Sequence, residues 1–142
     1  MTPEVATALV EDLGRAFEAG DADAVLRQFC PDGPVLYAGS EVGELAAGHE
    51  GLRSLLADLF ARDERYSWLS DEVRVVPCGT AVSLLADVTL LVRPYADGRL
   101  EDVTERVPYR ISGALERVGE SWRWRLCQGS EPTGADPHTC PA

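Results

Sequence analysis

Apolar and polar residues alternate along Thr80–Arg93 with the period of two that a β-strand imposes. The odd positions are mixed and include Ser83, Asp87 and Thr89. The even positions are all apolar: Val82, Leu84, Ala86, Val88, Leu90 and Val92. This pattern predicts a long strand with one buried face. It leaves open whether the mixed face points to solvent, to a partner or into a cavity.

A second long strand is predicted over Asp102–Val118, after the turn signal Asp97-Gly98. Pro108, which lacks an N–H donor, and Gly113 both predict bends in it. The apolar face of this strand carries Val103, Val107, Tyr109, Ile111 and Leu115. Bends in a long strand curl its sheet, so we expect a concave face that apolar groups must fill.

A third strand, Ser121–Gly129, returns after the short turn Gly119-Glu120. Strands joined by such short turns must be antiparallel. Regular alternation predicts one face made of Trp122, Trp124, Leu126 and Gln128, and an opposite face made of Arg123, Arg125 and Cys127.

The first half of the chain is predicted to be mainly helical. Thr2-Pro3-Glu4 is typical of a helix start, and Gly20 is typical of a helix end. Asp21 is predicted to cap a second, shorter helix that runs through Gln28. The other predicted elements are a strand at 35–38, a loop or irregular edge with solvated acids at 39–48, a helix at about 50–61 and a strand at 66–76. Helices followed by strands indicate an α+β fold with the helices on one side of the sheet.

Length and charge limit the possible functions. The chain has 142 residues, which indicates one domain, and a net charge of −11. An acidic protein repels phosphate backbones and anionic lipids, so we expect neither a nucleic-acid nor a membrane partner. No apolar run approaches the roughly 20 residues of a membrane span, and no signal peptide is visible. We therefore expect a cytoplasmic protein.

The residues that usually hold metals or cofactors are sparse. The four cysteines show no CxxC spacing and there are only two histidines, so no metal site is expected. All 13 basic residues are arginines, which excludes a lysine Schiff base. No GxGxxG or Walker pattern occurs. We expect no cofactor.

Six short phrases carry a resemblance to a known family. They are Phe17-Glu-Ala-Gly-Asp21, Phe29-Cys-Pro-Asp-Gly33, Ala47-Gly-His-Glu-Gly51, Arg110-Ile-Ser-Gly-Ala-Leu115, Ser121-Trp-Arg-Trp124 and Gly129-Ser-Glu-Pro132. Their order resembles the nuclear-transport-factor-2-like superfamily, and within it the SnoaL-like polyketide cyclase domains. The resemblance places a single SnoaL-like domain at 1–132. Residues 133–142, rich in proline and without periodicity, are predicted to form a flexible tail.

The resemblance implies a cone-shaped fold in which a strongly curved, mixed or antiparallel sheet wraps around about three helices. It also implies an internal apolar pocket for a small apolar or cyclic molecule, and a homodimer formed through the outer face of the sheet. Members of the superfamily include isomerases, dehydratases, epoxide hydrolases, cyclases and non-catalytic domains. The fold therefore does not decide the reaction.

One position departs from the family pattern. Many relatives have a histidine near the end of the last strand, where this chain has Gln128, and glutamine is not a base near neutral pH. The two histidines here, His49 and His138, lie at a helix start and in the predicted tail. No Asp–His catalytic pair is recognisable in the sequence.

Asp87 and Arg110 are the candidate catalytic residues. Asp87 lies mid-strand between apolar neighbours, where a cavity position would raise its pKa and suit it to proton transfer. The alternative is that the Asp87 side chain points outward, to solvent or to a partner. Arg110 either stabilises an anion in the pocket or lies on a solvated face. If Asp87 is catalytic, Asp87→Asn abolishes turnover while the fold survives.

Aromatic residues supply the candidate pocket walls. Tyr37, Trp68, Tyr109 and Trp124 either line a pocket for a flat ligand or fill the core, and Gln128 either contacts the ligand or satisfies a backbone group. Two functions follow as hypotheses. One is a small-molecule-binding protein, with cofactor-independent isomerase, cyclase or hydrolase chemistry as its candidate activity. The other is a non-catalytic domain for dimeric association or ligand binding.

Overall fold

The computed structural model describes residues 1–133, so the predicted tail lies outside the described residues apart from its first residue. There are three helices in this range: α1 (Pro3–Ala19) and α2 (Ala22–Arg27) come first, and α3 (Gly48–Phe60) lies between the second and third strands. Seven strands are present in this part of the chain: β1 (Leu36–Ala38), β2 (Leu45–Ala47), β3 (Glu64–Cys78), β4 (Ala81–Ala96), β5 (Arg99–Leu100), β6 (Glu105–Val118) and β7 (Ser121–Ser130). The predicted α+β class is confirmed.

The helix boundaries follow local signals in the sequence. The Thr2 hydroxyl accepts a hydrogen bond from the Val5 N–H at 3.2 Å, and an Asp21 carboxylate oxygen accepts one from the Ala24 N–H at 3.0 Å. Gly20 ends α1 in the left-handed conformation, at φ 65°, which glycine adopts without steric cost. These three signals mark where α1 begins, where it ends and where α2 begins.

The strands form one curved, open and mixed sheet in the order β2-β1-β7-β6-β4-β3, and β5 pairs with β4 alone. All neighbours are antiparallel except β1 and β7, which are parallel. The segment predicted at 39–48 as a loop or irregular edge is both, because Leu45–Ala47 pairs with β1 as the edge strand β2.

The alternation predicted for β7 is wrong beyond Trp124. Leu115 pairs with Trp124 and Ala114 pairs with Leu126, so Arg125 is one extra residue, a β-bulge. An extra residue moves every later side chain to the other face. Cys127 and Gly129 are therefore buried, whereas Leu126 and Gln128 are exposed.

The core lies between α1 and the concave face of the sheet. The even positions of β4 are buried as predicted, and Ala6, Val10 and Leu13 of α1 are fully covered. Trp68 of β3 donates its indole N–H to the Val10 carbonyl at 2.7 Å, which ties the sheet to the helix. The space beside this core, towards the C-terminal end of α1, holds the cavity described below.

Candidate functional site

Aromatic side chains surround a small cavity on the concave side of the sheet. Phe17, at the end of α1, stacks on Tyr37 of β1 with ring centres 5.9 Å apart and contacts Trp68 at 5.4 Å. Tyr66 and Tyr109 complete the aromatic wall. The cavity has a volume of about 100 Å³. It is smaller than the roughly 300 Å³ at which drug-sized ligand sites begin, so it suits a small molecule or one end of a larger one.

Strand pairing sets the floor of the cavity. Leu90 of β4 pairs with Trp68, and Ile111 of β6 pairs with Gly129 of β7. Tyr37 pairs with Cys127 across the parallel strands. The β7 bulge is needed here because it turns Cys127 and Gly129 to the concave face.

Gly129 leaves the space that the Tyr109 hydroxyl fills. A Cβ atom at position 129 would lie 2.1 Å from the Tyr109 hydroxyl oxygen, far inside van der Waals contact. Only the lack of a side chain at position 129 permits this contact, so Gly129 sets the position of Tyr109 in the cavity wall.

The tyrosine hydroxyls of the cavity remain protonated at neutral pH. Burial raises the pKa of Tyr37 well above its ordinary value, and the neighbouring Cys127, Tyr109 and Glu44 raise it further. Burial also raises the pKa of Tyr109, although a nearby Ser40 hydroxyl opposes the rise. The same cause raises the pKa of the Cys127 thiol to about 12. These groups therefore act as neutral hydrogen-bonding groups and not as anions.

Tyr66, near the start of β3, is the other tyrosine of the cavity wall. The Tyr66 hydroxyl donates to a Glu64 carboxylate oxygen at 2.7 Å. Burial, followed by this hydrogen bond, raises the pKa of Tyr66 to about 12.

Glu44 brings a shielded carboxylate to the cavity. Its side chain is only 13% exposed and lies 3.8 Å from the Arg62 guanidinium, measured from Oε2 to Nη1. Its Oε1 accepts a hydrogen bond from the Glu41 N–H at 3.1 Å. A Cβ at Gly39 would approach Oε1 to 2.6 Å, so the loop closes around this carboxylate.

The sequence interpretation missed Glu44, which it assigned to a solvated loop. No periodic pattern in the sequence marks this acid, which follows Gly39 and Gly43 in the segment before β2. Arg62, which the sequence did not single out, also lines the cavity.

Asp87 and Arg110 lie away from this cavity. They pair with each other across β4 and β6 on the outer face of the sheet, where Arg110 Nε donates to Asp87 Oδ1 at 2.9 Å. Arg74 Nη1 contacts Asp87 Oδ2 at 3.3 Å. The Arg110 hydrogen bond, with help from Arg74, lowers the pKa of Asp87 and outweighs the opposing effect of burial. The prediction that Asp87 lies in the cavity with a raised pKa is therefore wrong, and its outward alternative is correct, because the odd positions of β4 face outward.

Tyr37, Trp68 and Tyr109 were predicted either to line a pocket or to fill the core, and the structure has them in the cavity wall. Their role in binding stays a prediction. Trp124 and Gln128 do not line it. Trp124 is completely buried in the core, and Gln128 points outward because of the Arg125 bulge. Both are corrections to the predicted pocket wall.

Asp87→Asn gives a test of this placement through pH. Because the pKa of Asp87 is lowered in the folded state, its ion pairs stabilise the protein above the ordinary value of 3.8 and lose their effect as pH falls below it. The carboxylate is 37% exposed, so solvent screening limits the expected loss at pH 7 to less than about 1 kcal/mol. Denaturant unfolding at pH 7 and near pH 3 measures the difference, which we expect to be smaller at the lower pH. The exposed acid Asp58 provides the control variant, Asp58→Asn. A loss that persists unchanged at pH 3 contradicts the assignment.

No metal site is formed by residues 1–133, in which no three His, Cys, Asp or Glu side chains converge suitably. Within the same range no helix is long and apolar enough to cross a membrane.

Several solved structures share this architecture. A proposed dehydratase of the nuclear-transport-factor-2-like family from Streptomyces avermitilis has a TM-score of 0.75 at 15% identity, over 94% of this chain and 100% of its own. A ketosteroid isomerase-like protein from Erwinia carotovora atroseptica has a TM-score of 0.64 at 18% identity, over 93% of this chain and 97% of its own. A proposed calcium/calmodulin-dependent protein kinase type II association domain from Thiobacillus denitrificans has a TM-score of 0.67 at 19% identity, over 93% of this chain and 96% of its own. No protein-family model matches the sequence, and no curated protein is significantly similar to it.

The chain therefore has the nuclear-transport-factor-2-like fold, with a small aromatic cavity on its concave side. At the level of this fold, the resemblance to the superfamily is confirmed. The narrower resemblance to SnoaL-like domains stays a prediction. The three neighbours differ in their described roles, so the fold alone does not assign one to this chain.

Proposed function

We propose that this chain binds a small apolar or cyclic molecule in the aromatic cavity and uses Glu44 there as an acid–base group. The supporting observation is the Glu44 carboxylate, which is 13% exposed and lines the cavity with Tyr37 and Tyr109. A shielded carboxylate next to neutral hydroxyl donors is suited to proton transfer from carbon.

The chemistry needs no cofactor. Glu44 accepts a proton from a carbon atom beside a carbonyl group, and the electron pair of that C–H bond moves onto the carbonyl oxygen. The Tyr109 and Tyr37 hydroxyls donate hydrogen bonds to the oxygen as its negative charge develops, and their raised pKa values keep them protonated. Return of the proton to a different carbon gives an isomer. Attack of the enolate carbon on a second carbonyl gives a ring instead, in which the electron pair of that C=O bond moves to its oxygen and the oxygen takes the proton from Glu44.

The class proposed is therefore a cofactor-independent isomerase or cyclase, with hydrolase chemistry as a further possibility for the same acid–base group. The isomerase-like and dehydratase neighbours are consistent with proton-transfer chemistry on this fold. Asp87 and Arg110 have no part in this proposal, since they lie on the outer face of the sheet.

The test combines binding with turnover. A panel of small cyclic ketones and amines is expected to include compounds that raise the melting temperature of the wild type. Gly129→Ala displaces Tyr109 from the cavity wall and is expected to remove that rise. Glu44→Gln keeps the shape of the side chain and is expected to keep binding while lowering turnover of a bound ketone by about 100-fold or more.

Gly43→Ala is the matched control, because a Cβ at that position meets no atom within 4 Å. Melting curves without ligand show whether each variant is folded. Ligand responses that survive in folded Gly129→Ala protein contradict the cavity as the binding site. Unchanged turnover in Glu44→Gln contradicts the acid–base role.

A second proposal, non-catalytic association as a homodimer, has its own support. Four apolar side chains lie exposed on β3, β4 and β7 and point to the outer face: Leu69, Val76, Leu85 and Leu126. Exposed apolar groups gathered on one face are typical of interaction surfaces. Light scattering measures the mass in solution. A monomeric mass at high concentration contradicts this proposal.

A further inference from the structure

Charges around the aromatic cavity are unevenly divided. Three carboxylates, those of Glu41, Glu44 and Glu131, line it against the single guanidinium of Arg62 among residues 1–133. Glu44 and Arg62 offset each other across 3.8 Å. Glu41 and Glu131 are exposed at the mouth and remain uncompensated by any other lining group in that range. Such a site attracts cations and disfavours anions.

The aromatic wall favours the same sign of charge. The faces of aromatic rings carry negative potential, and they attract an ammonium group that lies within about 6 Å of a ring centre. Tyr37, Trp68 and Tyr109 all contribute to this wall, and Phe17 packs between Tyr37 and Trp68. Two independent features, the excess of carboxylates and the aromatic lining, therefore select for positive charge.

We propose that the cavity binds a small organic ammonium compound, whose charged group lies between the carboxylates of Glu41, Glu44 and Glu131 and the aromatic rings. This inference rests on the proposed function, because it assumes that the aromatic cavity is the ligand site. A volume of about 100 Å³ restricts the enclosed part to a short alkyl chain or one small ring.

Three probes of equal shape and different charge test the inference. Choline carries a quaternary ammonium, 3,3-dimethylbutan-1-ol replaces its nitrogen by carbon, and 3,3-dimethylbutanoate carries a carboxylate. Isothermal titration calorimetry measures the affinity of each probe. The tryptophan fluorescence of the protein, to which Trp68 in the cavity wall contributes, gives a second signal. We expect choline to bind at least about tenfold more tightly than the alcohol, and the carboxylate to bind more weakly than both. Added salt is expected to narrow the gap between choline and the alcohol.

Variants of the lining charges give effects of opposite sign. The double variant Glu41→Gln/Glu131→Gln is expected to weaken choline binding by about fivefold or more and to leave the alcohol unaffected. Arg62→Gln removes the competing cation and is expected to strengthen choline binding. Glu50→Gln, an exposed acid of α3 that does not line the cavity, is the control and is expected to change neither probe.

The outcomes separate this inference from the proposed function. If the alcohol or the carboxylate binds as tightly as choline, the ammonium preference is overturned while the cavity remains a binding site. If Arg62→Gln weakens choline binding, the charge argument is likewise overturned. If no probe binds saturably, the inference fails, and the proposed function is judged by the panel of ketones and amines and by Gly129→Ala.

Discussion

Trp124→Ala is expected to remove about 3–5 kcal/mol from the free energy of unfolding, because it empties a large, fully enclosed site in the core. Trp124 is 0% exposed. Its backbone N–H donates to the Gln28 carbonyl at 2.8 Å, and its carbonyl accepts from the Cys30 N–H at 2.9 Å. The side chain thus lies where the segment after α2 joins the sheet. A loss of this size is a large part of the roughly 5–15 kcal/mol that stabilises a typical domain.

Trp122→Ala is the matched control on the same strand. Trp122 is only half-buried, and the Arg117 guanidinium lies 5.6 Å from its ring centre. Its replacement is expected to cost about 1 kcal/mol. Urea unfolding followed by circular dichroism compares the two variants. Equal losses for both tryptophans contradict the core position of Trp124 and restore it as a candidate for the pocket wall.

Trp124→Phe refines the same experiment. No described residue accepts a hydrogen bond from the Trp124 indole N–H, although that group is buried. Phenylalanine removes this unpaired donor and keeps most of the apolar volume, so we expect a loss of less than about 2 kcal/mol.

The sequence predicted the elements that depend on local signals. Thr2, Gly20 and Asp21 act through contacts within a few residues, and the structure has the helix boundaries where these residues indicate them. The buried even positions of β4 were predictable for the same reason, since alternation is a property of a single strand. The α+β class follows from these local elements in order.

The errors concern features that are decided by pairing between distant segments. The Arg125 bulge arises where β7 meets β6, and no residue within β7 signals it unambiguously. Without the bulge, Gln128 would face the cavity and Cys127 would face outward, as the alternation predicted. Glu44 was missed because a loop that folds back on the sheet has no periodicity to read. The candidate site was therefore predictable only in its aromatic residues.

Asp87 illustrates a different limit. The alternation of β4 placed it correctly on the mixed face, but alternation alone does not say whether that face is concave or convex. The buried even positions settle this point, because α1 covers their side of the sheet. The two arginines that contact Asp87 come from β3 and β6, which the sequence of β4 does not reveal.

Gly113→Ala is expected to cost about 3 kcal/mol or more, since β6 and β7 approach each other too closely at this point for any side chain. A Cβ at Gly113 would lie 2.0 Å from the Leu126 carbonyl oxygen and 3.0 Å from an atom of the Trp124 ring. A side chain in the way can rotate aside, but a carbonyl oxygen in a paired strand moves only if the pairing is disturbed. The disturbance falls next to the Arg125 bulge, which turns Cys127 and Gly129 into the cavity. We therefore expect loss of ligand binding together with loss of stability.

Gly43→Ala is again the control for Gly113→Ala and is expected to stay within about 0.5 kcal/mol of the wild type, because the added methyl group meets only open space. Urea midpoints measured by tryptophan fluorescence compare the two variants. A Gly113→Ala midpoint equal to that of the wild type contradicts the close approach of β6 and β7. Gly113 pairs with Cys127, which lies beyond the Arg125 bulge and lines the cavity. A change at position 113 therefore bears on the orientation of the cavity residues of β7 as well as on stability.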